Sequence, residues 1–262
     1  MTWNILFGGE ERFPSICERI KALRPDVLAL QECLGWDDGV RLNEIAKALE
    51  LPNEPDHVQL GQARPRGSGK RYHVALLSRF PLGQVQVFNP PAFIGHALLR
   101  AELSLVDGPL TLFVAHFDST HENLRFVEAR YLRSVIDAES FAKGRYLLMG
   151  DLNSLSSRDP YPGDLAEQVA RAKVDKYGHP PRFEVTAELE SFGWIDSLRA
   201  KPFEGSWITA HRERGGVPID YRIDYVFASP LMAERLIEAR VEDARGASDH
   251  QPMLASFDVT PS

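Results

Sequence analysis

Apolar residues along the chain come in short runs that break at Gly, Pro, Asp or Ser: TWNIL, DVLALQE, YHVALLSRF, ALLRAELSLV, LTLFVAHF, RYLLMGDL, RIDYVFAS and HQPMLASFDV. Their lengths and their content of β-branched, aromatic and leucine residues predict strands. Helical patterns lie between them, over Glu11 to Leu23 with Pro14 near its start, Gly39 to Leu49, and His121 to Phe141. In the last of these, Leu124, Val127, Tyr131, Val135 and Ile136 share one face at helical spacing, while Arg125, Glu128 and Arg133 point elsewhere. That pattern predicts a helix lying flat on a sheet through those five residues. Several strands are apolar on both faces, and helices alternate with strands in the first half. The expected fold is therefore α/β, a four-layer α/β/β/α sandwich with two mixed central sheets covered by helices. The segment 154–182, with Pro160, Pro162, Pro180 and Pro181, reads as a loop-rich insert. No internal repeat or low-complexity tract interrupts the pattern.

Composition narrows the picture. With 262 residues, 44% of them hydrophobic, the chain has enough apolar mass for one large core, so a single domain over 1–262 is expected. A net charge of -7 argues against a protein that coats nucleic acid through its overall field, so any polyanion contact must be local. One local concentration exists in QARPRGSGKRY, where Arg64, Arg66, Lys70 and Arg71 stand without an acid. It reads equally as a phosphate clamp or as a solvated hairpin tip. A second stretch, WITAHRERGGVPIDYR, presents Trp207, His211, Arg212 and Arg214 as a loop suited to stacking on a base or sugar, with Trp207 equally suited to a core. The two cysteines, Cys17 and Cys33, give no disulfide framework and fit a reducing compartment. No charged-then-apolar leader and no apolar run near the ~18 residues of a membrane span is present, so a cytoplasmic monomer is expected.

Polar residues at the ends of apolar strands carry the chemistry: Asn4, Glu32, His116, Asp151, Asn153, Asp224, Asp249 and His250. A buried charge without a partner costs several kcal/mol, so convergence of these strand ends at one rim explains them most economically. In GDLN, Asp151 and Asn153 point the same way because strand side chains alternate; the plain alternative is an Asx turn. Carboxylates with a carboxamide are hard oxygen donors suited to Mg²⁺. Zinc is disfavoured by the two Cys and the lack of paired-His spacing. A serine triad is disfavoured because no Gly-x-Ser-x-Gly elbow occurs. The chemistry these parts can run is metal-assisted phosphoester hydrolysis, with Asp224 orienting the imidazole of His250. Arg79 and Arg222 read as structural ion-pair partners. His57, His96, His179 and His211 default to surface or loop roles, with His73 and His121 only slightly better placed.

Taken in order, TWN, LQE, LLSRFP, AHFDS, GDLNS, RIDYVFAS and SDHQP resemble the endonuclease/exonuclease/phosphatase superfamily. These are Mg²⁺-dependent phosphoesterases that include exonuclease III, pancreatic-type deoxyribonuclease, neutral sphingomyelinases and inositol phosphate phosphatases. The resemblance spans nearly the whole chain. It implies that Glu32 is the main metal ligand with Asn4 and Asp249 close to the metal, that Asp151 positions or activates water, and that Asn153 and His116 contact the phosphate. It also implies that Asp224 pairs with His250, which serves either as a base or as a charged phosphate clamp. Mg²⁺ is the implied cofactor, with Mn²⁺ tolerated.

Departures from the pattern bear on the substrate. Leu6 stands where many repair members carry an acidic or amide residue, removing one outer ligand. VAHFDST replaces the tyrosine-bearing segment of abasic-site enzymes and is similar to the deoxyribonuclease, sphingomyelinase, phosphatase and tyrosyl-DNA phosphodiesterase branches. His73 stands where relatives carry Gly or Asn, narrowing the pocket. The C-terminal segment RIDYVFASPLMAERL and the basic loop place a DNA or RNA phosphodiester first among substrates. A phosphomonoester or a phospholipid diester comes next, the latter requiring an exposed apolar loop that the sequence does not advertise. A non-catalytic phosphate-binding module is the alternative from another class, and the intact set Glu32, Asp151, Asn153, Asp224, Asp249 and His250 argues against it.

Overall fold

The computed structural model describes residues 1–52, 54–65, 67, 69–172, 174–214 and 217–262. Its strands are, in chain order, β1 (Thr2–Asn4), β2 (Val27–Leu34), β3 (Val58–Gly61), β4 (Tyr72–Ser78), β5 (Leu82–Phe88), β6 (Leu98–Leu105), β7 (Gly108–His116), β8 (Arg145–Asp151), β9 (Ile195–Asp196), β10 (Ala210–Arg214), β11 (Val217–Tyr221), β12 (Asp224–Ala228), β13 (Leu236–Val241) and β14 (Met253–Phe257). They build two six-stranded sheets, ordered β13-β14-β1-β2-β4-β3 and β5-β6-β7-β8-β12-β9, and a separate β10-β11 hairpin. Each large sheet is mixed, with one parallel pair: β1 beside β2 in the first and β7 beside β8 in the second.

The inner faces meet in a core of Ala29, Val74, Leu76, Leu99, Leu112, Val114, Met149 and Val226. Strands buried on both faces need a cover outside as well, and helices supply it. Helices α1 (Phe13–Leu23) and α2 (Val40–Ala48) lay Ile16, Ile20 and Ile45 over the first sheet against Leu28, Leu30 and Leu77. Over the second sheet, α3 (Glu122–Ser134) and α4 (Ala138–Lys143) place Ala129, Leu132 and Phe141 against Phe113, Ala115 and Leu148. The architecture is thus the α/β/β/α sandwich expected from the strand and helix pattern.

The face expected for the segment His121 to Phe141 packs inward only in part: Tyr131, Val135 and Ile136 join the core over the second sheet, while Leu124 and Val127 do not. The single helix expected over His121 to Phe141 is two, with Asp137 capping the second by accepting a hydrogen bond from the Ser140 N–H at 2.7 Å. Leu124 and Val127 are exposed, whereas Glu122, Arg125 and Glu128 are buried with Ala129 and Leu132. The reason is polar. Glu128 accepts hydrogen bonds from the backbone N–H groups of Gly95 (2.7 Å) and Asp118 (2.6 Å), satisfying two donors in the loops beneath it. Arg125 reaches Glu122, Ser154 and the carbonyl of Asp118. Leu124 and Val127 instead line a shallow groove with Phe93, which is also exposed, so an apolar surface exists that the sequence did not advertise.

The insert at 154–182 is partly ordered as a helix over Leu165–Arg171 and a short 3-10 turn over Asp175–Tyr177. Leu155, Leu165, Val169 and Tyr177 form a satellite core with Ile219, Tyr221 and Ile223. The stretch read as a second loop is the β10-β11 hairpin, and Trp207 is half-buried, packing on the central core and edge-on to Tyr161. Among the described residues, no helix is long and apolar enough to cross a membrane.

Candidate active site

The sheet topology brings the predicted strand ends together. β7 and β8 are parallel and in register, so His116 lies opposite Asp151; β12 is antiparallel to β8, so Asp224 lies opposite Asp151 on the other side. In the facing sheet Asn4 ends β1 and Glu32 lies two residues before the end of β2. The amide of Asn4 bridges the sandwich, its Nδ2 donating to Asp151 Oδ2 at 2.9 Å and to Glu32 Oε1 at 3.2 Å. Asn4 Oδ1 accepts from the Leu6 N–H at 3.0 Å, so the residue meets both carboxylates as a donor.

Glu32 is aimed by a bulge. The β2–β4 register shifts between Leu30 and Cys33, and Glu32 takes a φ of 59°, a left-handed conformation costly for a non-glycine residue. Its Oε2 accepts the Phe7 N–H at 3.0 Å. On the other sheet, Gly150 lets β8 approach β7: a Cβ there would lie 1.9 Å from the Ala115 carbonyl oxygen. Just beyond, the Asn153 N–H donates to Asp151 Oδ1 at 2.8 Å, so the Asx turn weighed from sequence forms inside the site. Asn153 Nδ2 donates to the Phe117 carbonyl at 3.1 Å, and its Oδ1 accepts from Lys176 Nζ at 2.9 Å.

His250 precedes β14 and is pinned on several sides. The Trp3 indole donates to its carbonyl at 2.9 Å, and the Ser248 hydroxyl donates to the Asn4 carbonyl at 2.8 Å. Its Nδ1 lies 2.8 Å from Asp224 Oδ2, and its Nε2 lies 3.9 Å from Asp151 Oδ2. His116 Nε2 approaches the same Asp151 oxygen at 3.7 Å, and the His116 ring stacks on His96 at 4.2 Å with an interplanar angle of 6°. Asp249 is half-buried beside His250, its carboxylate among the charges acting on the imidazole.

Charges in this buried cluster set one another. Burial raises the Asp151 carboxyl, but His250, His116, Lys176 and the Asn4 amide outweigh it and hold the group below its usual range. Burial lowers His250, yet the charge and hydrogen bond of Asp224, with Asp151 and Asp249, push it up to about 9. Burial and the nearby Asp151 charge push Asp224 up to about 6 against the pull of His250. At neutral pH the pair is therefore carboxylate and imidazolium.

The donor set suits a hard divalent cation. Glu32 and Asp151 bring carboxylates to one point across the Asn4 amide. Ligating atoms of Asp151, Asp224 and His250 lie within 4.8 Å of one another, and two buried atoms of that group, His250 Nε2 and Asp224 Oδ1, have no hydrogen-bond partner among the described residues. This trio overlaps the catalytic set rather than the Asn4, Glu32 and Asp249 set read from the sequence.

Two residues of the site carried no sequence signal. Lys176 comes from the short turn in the insert, where nothing in the spacing marked a contact with Asn153. His96, expected in a surface or loop role, is buried against His116. His73 is buried as well, accepting the Ala63 N–H at 2.9 Å and lying 3.2 Å from Asp37. Arg222 is structural as expected, bonded to Asp159 and Asp196, and Arg79 pairs with Asp26 at 3.4 Å. Of the basic loop, Arg64 donates to the Ile94 carbonyl, Arg71 pairs with Asp37, and Arg66 lies outside the described residues.

The family model described as "Endonuclease/Exonuclease/phosphatase family" matches residues 1–250, and the chain belongs to that family. It is accordingly a metal-dependent phosphoric ester hydrolase. Solved structures share the fold at low identity. An endonuclease/exonuclease/phosphatase from Beutenbergia cavernae has 21% identity and a TM-score of 0.72, over 100% of this chain and 70% of that one. A 3′ phosphatase from Neisseria bound to a product DNA hairpin has 22% identity and a TM-score of 0.70, over 98% of each chain. An AP endonuclease from Archaeoglobus fulgidus has 19% identity and a TM-score of 0.69, also over 98% of each. No curated protein matches the sequence significantly.

Proposed function

We propose that this protein is a Mg²⁺-dependent nuclease that hydrolyses phosphodiester bonds of DNA or RNA. The observation that carries the reading is the continuous chain of contacts Asp224–His250–Asp151–Asn4–Glu32 at one rim of the sandwich. In this scheme Glu32 is the principal ligand, Asn4 fixes its orientation toward Asp151, and Asp249 stands close by. A divalent cation held there, Mg²⁺ or less specifically Mn²⁺, supplies positive charge to the phosphoryl oxygens.

The remaining work falls to the protein's own groups. Asp151, kept ionised by its neighbours, accepts the proton of the attacking water. His250, kept protonated by Asp224, donates from Nε2 to an oxygen of the phosphoryl group as charge accumulates on it, so the clamp role is favoured over the base. Asn153 and His116 flank the same carboxylate and contact the phosphate. The fold-sharing AP endonuclease and the phosphatase bound to a DNA hairpin support nucleic acid as substrate.

A second reading rests on the exposed groove of Phe93, Leu124 and Val127 beside Asp118, which favours a phosphodiester bearing an apolar substituent. One experiment separates the two: turnover of end-labelled duplex and single-stranded DNA with Mg²⁺, beside an EDTA blank and the His250→Ala protein. Cleavage that requires both metal and His250 supports the nuclease. Absence of cleavage, with hydrolysis of a phospholipid or phosphomonoester instead, replaces it.

A further inference from the structure

Phe7 stands out as an aromatic side chain held outward at the edge of the site. It is 40% exposed, yet its own backbone N–H is fastened to Glu32 Oε2 at 3.0 Å. The backbone carrying it has positive φ at five consecutive residues, Leu6 (φ 52°), Phe7 (53°), Gly8 (72°), Gly9 (84°) and Glu10 (43°). Three of these, Leu6, Phe7 and Glu10, are not glycine, so the conformation is costly there. Hydrophobic burial does not repay that cost, because the Phe7 ring contributes to none of the cores.

The ring does have aromatic company. Phe7 lies 6.2 Å from Tyr72, Tyr72 meets His96 edge-on at 5.6 Å, and His96 stacks on His116 at 4.2 Å. A row of rings therefore runs from solvent to the histidine beside Asp151. Lys70 brings its ammonium within 5.7 Å of the Phe7 centroid. An exposed aromatic ring with an ammonium over one face, on a residue whose backbone N–H is bonded to a carboxylate expected to bind metal, matches a nucleobase followed by its phosphate.

We infer that Phe7 and Lys70 form a stacking platform for the nucleobase next to the scissile phosphate, making the favoured substrate a nucleic acid with an unpaired base at that position. The inference rests on the nuclease reading and adds its specificity. Base–aromatic stacking contributes about 1–3 kcal/mol per base, which corresponds to roughly 5- to 150-fold in affinity.

The test compares kcat/KM on a single-stranded oligonucleotide with that on the same oligonucleotide carrying a tetrahydrofuran abasic analogue at the flanking position. Wild type should prefer the base-bearing strand. Phe7→Ala and Phe7→Leu should each reduce that preference about tenfold or more, and Phe7→Trp should restore it. An independent readout is quenching of 2-aminopurine at the flanking position when the strand binds in EDTA, lost in Phe7→Leu and kept in Phe7→Trp. If wild type cuts the strands but the preference and quenching are the same in Phe7→Leu, the platform is wrong and the nuclease reading stands. If wild type neither binds nor cuts any oligonucleotide, both fall.

Discussion

His250 Nδ1 lies 2.8 Å from Asp224 Oδ2, and neither side chain is exposed to solvent. The carboxylate fixes which imidazole nitrogen faces the site and holds the ring charged. Replacing His250 by Ala should lower kcat by about 10²–10⁴-fold with little change in KM, as expected for a group acting mainly in the transition state. Asp224→Asn keeps the shape but removes the charge, and should give a smaller loss in kcat. Steady-state kinetics on whichever phosphodiester the wild type cleaves checks both; an unchanged kcat in His250→Ala removes the histidine from the chemistry.

The same pair makes a pH-dependent contribution to the metal-free protein. His250 is raised from 6.5 to about 9, so its contribution to stability is complete below about 6.5 and drains away as the pH climbs through about 9. Asp224 acts in the same direction: raised from 3.8 to about 6, its ionisation costs stability across that lower interval. In EDTA, imidazole NMR resonances of His250 should stay in the protonated position at pH 7.5. Over pH 7 to 9, the stability difference between wild type and His250→Gln should shrink. Titration of His250 near its ordinary value would contradict the ion pair.

Glu32 offers a separate test because it sits on the facing sheet from Asp151. If it is the main ligand, Mg²⁺ should raise the melting temperature of the wild type by mass action, and Glu32→Gln should need a much higher Mg²⁺ concentration for the same shift and for half-maximal turnover. The maximal rate at saturating metal should suffer less than the metal requirement. A wild-type-like response in Glu32→Gln at low Mg²⁺ would move the ligand role to the Asp151, Asp224 and His250 group.

What could be read from the sequence follows the physics of burial. All eight strands recognised from apolar runs are interior strands or the penultimate members of their sheets, as with β8 and β12. The edge strands β13, β3, β5 and β9 escaped notice because an edge strand has a partner on one side and more solvent on the other; β5, for example, is exposed along Gly83 to Val87. Predicted site residues converged because each lies at or near one end of an apolar run, Asn4, His116 and Asp151 closing theirs and Asp224 opening its own, and register does the rest. Lys176 and His96 were invisible for a corresponding reason: their roles depend on a loop and a ring stack that no periodicity encodes. The inward face of α3 was only partly legible because backbone donors in neighbouring loops, not apolar surface, determine where Glu128 points.

Arg222 should dominate stability near the site. It is fully buried and bonded to both Asp159 and Asp196, while its neighbour Tyr225 donates to the Ser154 carbonyl at 2.8 Å. Arg222→Ala leaves the buried carboxylate of Asp196 without its cation and Asp159 with Arg199 alone, a loss expected to cost about 3–5 kcal/mol. Urea denaturation should show the midpoint falling accordingly. The double variant Arg222→Met, Asp196→Asn should recover part of the loss, because Asp196 no longer carries a stranded charge and Asp159 keeps Arg199. A single-variant cost below about 1 kcal/mol would place the pair among the weak surface bridges.

The basic loop should grip a polyanion less strongly than its composition implies. Arg64 Nη2 is committed to the Ile94 carbonyl at 2.9 Å, and Arg71 Nη1 lies 3.3 Å from Asp37. Lys70 is the described cation of the loop that faces the Phe7 ring at the site's edge. Each phosphate neutralised on duplex DNA contributes about -0.9 to the slope of log affinity against log salt, so four free cations would give a slope near -4. With Arg64 and Arg71 held by the protein, the slope expected from fluorescence anisotropy in EDTA is shallower than that. Lys70→Gln should make it shallower by about one phosphate's worth. A flat plot would remove the loop from substrate binding. A slope near -4 would mean that Arg64 and Arg71 leave the Ile94 carbonyl and Asp37 when the polyanion arrives.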